Sequence, residues 1–90
     1  QYIPFDQKNN PTIYLYRSIC YFSINEYNKA LQEINVYFTF GGDEANGYLI
    51  RGASKNITKN DTSGMLDIRY AAKLGNLEAK NYLEKYYGHK

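Results

Sequence analysis

Tyr14, Tyr48 and Tyr82 lie 34 residues apart, and no insertion interrupts that spacing. The same offset relates Ala30 to Gly64, Leu31 to Met65, Ile34 to Ile68 and Tyr37 to Ala71. A period of roughly 20 to 50 residues restricts a fold strongly, because each unit is one supersecondary element that buries its apolar face on its neighbour. The hydropathy pattern inside the period then says what that element is.

Pro11 stands where proline is favoured, in the first turn of a helix. From Thr12 to Ser23, Leu15, Ile19 and Phe22 recur at spacings of four and three, with Tyr14, Ser18 and Tyr21 on a neighbouring stripe. That is helical spacing. Asn25 offers a cap and a break. A second helix follows through Phe38, with Tyr27, Ala30, Leu31, Ile34 and Phe38 inward. Gly41 and Gly42 stop it, and Asp43 can cap a third helix over 44–55 that carries Tyr48, Leu49, Gly52 and Ala53. The polar stretch 56–64 interrupts the pattern, and Thr62 or Ser63 caps a fourth helix through Leu74. Asn76 caps a fifth over 77–87. Pro4 opposes helix, so residues 1–10 read as an extended lead-in. The expectation is an all-α chain of tandem antiparallel helix pairs, an α-α superhelix. It has two repeats over 11–43 and 44–75, then a capping helix and tail over 76–90.

Composition sets the scale. Ninety residues suit one domain with one thin core. Eleven are Tyr and none is Trp, and tyrosine's apolar ring with a polar tip suits half-buried helix seams. A formal charge of +2, with Lys and Glu dispersed, lacks the concentrated basic stripe that phosphate binding requires. Cys20 is the only cysteine and falls in a periodic helical stretch, where a small core hydrophobe is expected. No apolar run approaches the roughly 18 residues of a membrane span. The chain starts at Gln1 and its one Met is internal, so a processed or trimmed chain, exported included, is an open reading.

The residues at the repeated positions resemble the tetratricopeptide repeat, a 34-residue helix pair with a large aromatic, a small residue and a tyrosine on its first helix. Tyr14, Ser18 and Tyr21 fill those places in the first unit, followed by Ala30 and Ile34. Tyr48, Gly52, Gly64, Ile68 and Ala71 fill the second, and Tyr82 opens a third. The stretch Ala71-Ala72-Lys73-Leu74-Gly75-Asn76 also resembles the junction of the related Sel-one-like repeat. Lys55 stands where the family has a tyrosine, and no proline closes either unit. The resemblance implies a protein-binding scaffold or adaptor. In such a scaffold the first helix of each pair lines a concave groove for a peptide or partner helix. By register that face comprises Leu15, Ile19, Phe22, Leu49, Ala53, Leu83 and Tyr87.

No poised catalytic set is visible. His89 is the only histidine and stands next to the last residue, Cys20 has no sequence-near histidine, and the segment 41–47 lacks the Gly-Lys-Ser/Thr of a phosphate loop. The expectation is therefore a non-enzymatic protein without metal or cofactor. The apolar stripe is either core, packed on the lead-in or on another copy of the chain, or a groove for a protein or peptide partner. A dedicated inhibitor or immunity-type protein, blocking one secreted enzyme or effector, is the alternative function. Single-stranded nucleic acid on Arg69, Lys80, Lys85, Lys90 and the cluster Tyr82, Tyr86 and Tyr87 is weaker, since Glu78 and Glu84 would repel phosphate.

Overall fold

The computed structural model describes residues 10–59 and 62–87, with the side chains of Tyr86 and Tyr87 excepted. Most of the lead-in, and the tail with His89, lie outside the described residues. Five helices follow in order: α1 (Thr12–Ser23), α2 (Tyr27–Thr39), α3 (Ala45–Lys59), α4 (Ser63–Lys73) and α5 (Leu77–Tyr87). No strand occurs among the described residues. α1 packs on α2 and α4 on α3 as antiparallel pairs, the second pair docks through α3 onto α2, and α5 closes on α4. The protein is an all-α fold of two tandem helix pairs with a further C-terminal helix.

Three helix ends share one solution. α1, α2 and α4 each terminate on a residue with positive φ: Asn25 at 67°, Gly41 at 92° and Gly75 at 101°. At each end the next two amides turn back onto the last helical carbonyls. Gly41 N–H donates to Phe38 O (3.1 Å) and Gly42 N–H to Tyr37 O (3.0 Å). Gly75 N–H donates to Ala72 O (2.9 Å) and Asn76 N–H to Ala71 O (3.0 Å). This reversal satisfies carbonyls that a helix end leaves open. Asn25 therefore acts through its left-handed backbone and not as a side-chain cap; its Oδ1 accepts the Tyr27 hydroxyl at 2.7 Å.

Starts are less uniform. Asn76 Oδ1 accepts Ala79 N–H at 2.7 Å, the expected cap of α5. Thr62 precedes α4 without a side-chain cap bond. Ahead of α3 the tertiary structure supplies an acceptor, since Glu44 N–H donates to the Tyr37 hydroxyl at 2.8 Å. α3 also runs four residues beyond the expected end at Lys55. Its last turn is held by Asn56, whose amide reaches Met65 Sδ and the Tyr82 hydroxyl, and by Thr58 Oγ1 bonding Ser54 O.

Two clusters form the core. Leu15, Leu31, Ile34, Tyr37 and Ile50 join the first pair to α3. Ile68, Ala71 and Ala79 join the second pair to α5, with Tyr48, Leu49, Met65, Tyr82 and Leu83 around them. Ile34 and Ile68, 34 residues apart, both have no exposed area, and burying each contributes about 2–3 kcal/mol. The helices of the second pair touch through Gly52 and Gly64: a Cβ on either would collide with the other's carbonyl oxygen. At the corresponding places in the first pair, Ser18 and Ala30 are fully buried, and Ser18 Oγ bonds Leu15 O at 2.7 Å.

Candidate functional site: an apolar trough across three helices

A concavity of about 530 Å³ runs between α1 and α5 with α3 as its floor. Leu49, Ile50 and Ala53 form that floor. Ile19, Phe22 and Ser23 form the α1 wall, and Glu78, Asn81, Tyr82 and Lys85 the α5 wall. Phe22 is held by an edge contact with Tyr27, ring centroids 5.0 Å apart. Tyr82 is held by the Asn56 amide at 3.3 Å. Spacings of three, four and seven put the α5 residues on one side of their helix.

Of the seven residues expected in the groove, Ile19, Phe22, Leu49 and Ala53 meet in it. Leu15 does not: it is 1% exposed, at the centre of the first core cluster. Leu83 does not either, because it packs with Ile68, Ala71 and Ala79 on the α4 side of α5. The side chain of Tyr87 lies outside the described residues. The reason for both departures is rotation about the helix axis. Transferring a face by a fixed offset assumes that every helix has the same neighbours. α1 has no helix described before it and α5 none after it, so the side of each that meets a neighbour is not the side that the fixed offset assigns.

Glu78, Asn81, Tyr82 and Lys85 were missed for the same reason. Their helical spacing from one another was a usable signal. One further expectation changes. Cys20 is exposed on the outer side of α1 and is not a core residue. Tyr37, near the end of α2, is 1% exposed.

Electrostatics within the trough are nearly neutral, with one carboxylate and one ammonium on the α5 wall. Away from the trough, Arg17 Nη2 meets Glu33 Oε2 at 3.1 Å, and Arg51 and Lys55 both meet Asp67 Oδ2, at 2.9 and 3.5 Å. Among the described residues no helix is long and apolar enough to cross a membrane, and no group of three His, Cys, Asp or Glu is placed to hold a metal ion. Comparison of the chain with protein-family models, curated proteins and solved structures finds no match.

Proposed function

We propose that the protein is a non-enzymatic interaction module of the tetratricopeptide and Sel-one-like class, and that an apolar peptide or helix of a partner protein seats in the trough between α1 and α5. The observation that carries this reading is the make-up of the trough. Ile19, Phe22, Leu49, Ile50, Ala53 and Tyr82 present a continuous apolar surface, and Glu78, Asn81 and Lys85 border it. Binding sites of this kind draw affinity from the apolar lining and orientation from a few polar groups, and about 300–1,000 Å³ is their usual size. Glu78 and Lys85 are two turns apart on α5, about 10 Å along the axis. A partner with a cation near one end and a carboxylate near the other is thereby oriented.

Capture from the native source, read by mass spectrometry, tests it. An Ile19→Asp/Phe22→Asp chain with unchanged helical circular dichroism is the control. A specific partner held by the native chain and lost by the variant supports the trough. A partner retained by the folded variant moves the interface to the other helix faces, where Tyr70 is 45% exposed.

A further inference from the structure

A surface helix is polar on the side away from its core, and α4 departs from that rule. Its inner side is complete, since Gly64 is buried and Ile68 and Ala71 have no exposed area. The opposite side, read at 3.6 residues per turn, carries Leu66, Arg69, Tyr70, Lys73 and Leu74. Leu66 is 62%, Tyr70 45% and Leu74 46% exposed, and both cations are exposed along the stripe. Leu77, three residues further on, is 69% exposed. The repeat supplies an internal control. At the positions 34 earlier, α2 and its last turn carry Gln32, Asn35, Val36, Thr39 and Phe40, all uncharged, and Phe40 is stacked on Tyr14. The helix pair therefore forms without a cation at 69 or 73 and without an apolar residue at 66.

We propose that this outer side of α4 is a docking surface for an anionic lipid bilayer, with Leu66, Tyr70 and Leu74 entering the headgroup boundary and Arg69 and Lys73 meeting the charged headgroups. Charge complementarity carries the assignment. The carboxylates of α4 and of the first turn of α5 are directed elsewhere, Asp67 to Arg51 and Lys55, and Glu78 to the trough, so neither opposes an anionic surface. Leucine and tyrosine flanked by cations is the make-up with which a helix lies in a membrane interface. Area decides against a protein occupant. The stripe follows the ridge of one helix for about 12 Å, well short of the roughly 800 Å² per partner that stable interfaces bury, whereas a bilayer needs no matching groove. Charge also opposes a second copy. Antiparallel pairing brings Arg69 close to Lys73, and parallel pairing sets each cation beside its own counterpart.

Flotation of the full chain tests this, with vesicles of phosphatidylcholine alone or of phosphatidylcholine and phosphatidylserine in equal parts. Docking predicts that the chain floats with the mixed vesicles and is released as salt screens the charge. Lys73→Gln should bind them about fivefold less tightly, the effect of one cation at an anionic surface. Leu66→Ser/Leu74→Ser, at matched helical circular dichroism, should bind about tenfold less tightly. Leu74→Ser alone is read if the double variant loses helix. A chain that floats with neither vesicle overturns the proposal, as does equal flotation with both or flotation that the substitutions leave unchanged. Self-association without vesicles, abolished by the leucine substitutions, also overturns it and assigns the side to a second copy. Capture of one protein, lost with the same substitutions while no vesicle is bound, overturns it in favour of a protein partner.

Discussion

The guanidinium of Arg51 grips the carboxylate of Asp67 through two hydrogen bonds of 2.9 and 3.0 Å, while its Cζ lies 4.1 Å from the centre of the Phe38 ring. One residue thus ties α3 to its own partner helix α4 and to α2 of the preceding pair. The pair Arg17–Glu33, at the same separation of 16 residues and 34 positions earlier, makes one bond, and Arg17 is half exposed.

That difference predicts unequal costs. Asp67→Asn should lower stability by about 1–3 kcal/mol, because charge-assisted bonds in a sheltered site are lost. Arg17→Ala should cost at most about 1 kcal/mol, as exposed pairs do. Urea unfolding of both, with the Arg51→Ala/Asp67→Asn double-mutant cycle, measures the coupling. Equal small effects would mean that Arg51 acts through its ring contact and not through Asp67.

Contact between Gly52 and Gly64 gives a second expectation. Gly52→Ala raises helix propensity, which alone would stabilise by up to about 1 kcal/mol. The added Cβ meets a carbonyl oxygen that cannot yield without moving α4, so the net change should be a loss of about 1–3 kcal/mol. Ala30→Phe should cost a similar amount, and exposed Lys29→Ala should stay within about 0.5 kcal/mol. A more stable Gly52→Ala chain would show that the two helices separate freely.

Tyr37 makes the fold sensitive to alkali. Burial is the main cause holding its phenol above the usual tyrosine range. The backbone bond from Glu44 acts against this, and the Glu44 carboxylate adds to it. In the unfolded chain the phenol ionises near pH 10. Between that value and the higher folded one, the native state binds more protons, so stability is complete below about pH 10 and falls as pH rises through the window. Tyr37→Phe should lose about 1 kcal/mol at neutral pH, since Glu44 N–H loses its acceptor, and should then fall less steeply in alkali. Parallel decline of the two chains from neutrality to about pH 11 would remove Tyr37 as the cause.

Core and trough separate by substitution. Leu15→Ala should destabilise by about 2–5 kcal/mol, as a cavity at a fully buried leucine does. Asn81→Ala and Lys85→Ala, on the α5 wall, should change stability by no more than about 0.5 kcal/mol. Thermal unfolding of the three chains distinguishes them. A mild Leu15→Ala would return that residue to the groove.

Asn76 caps α5 and also donates to Asn46 Oδ1 at 2.8 Å. Asn76→Ala should cost about 1 kcal/mol, and Asn76→Ser, which keeps a capping oxygen, a few tenths. Circular dichroism during urea unfolding checks both. Equal losses would place the value of Asn76 in its bond to Asn46.

Helix number, order and turns were legible in the residues because their causes are local. Spacings of three and four place an apolar stripe wherever the helix sits, and Gly41, Gly75 and Asn25 occupy the positions where a left-handed residue ends one. Ala30, Ile34, Ile68 and Ala71 were legible as buried because they recur at the 34-residue offset on the apolar stripe of their own helix. The third helix was read short because the cause of its extension is not local. Asn56 is held by Met65 and by Tyr82, which lies 26 residues further on. Rotation of each helix about its axis was likewise decided by its neighbours in space. It turned Leu15 and Leu83 into the core, left Cys20 on the outside, buried Tyr37 under the second pair, and brought Glu78, Asn81, Tyr82 and Lys85 to the trough. An amphipathic pattern marks which side of a helix is apolar, but a stripe as wide as these offers several orientations of similar burial. The choice among them is made by which helix is present to pack against.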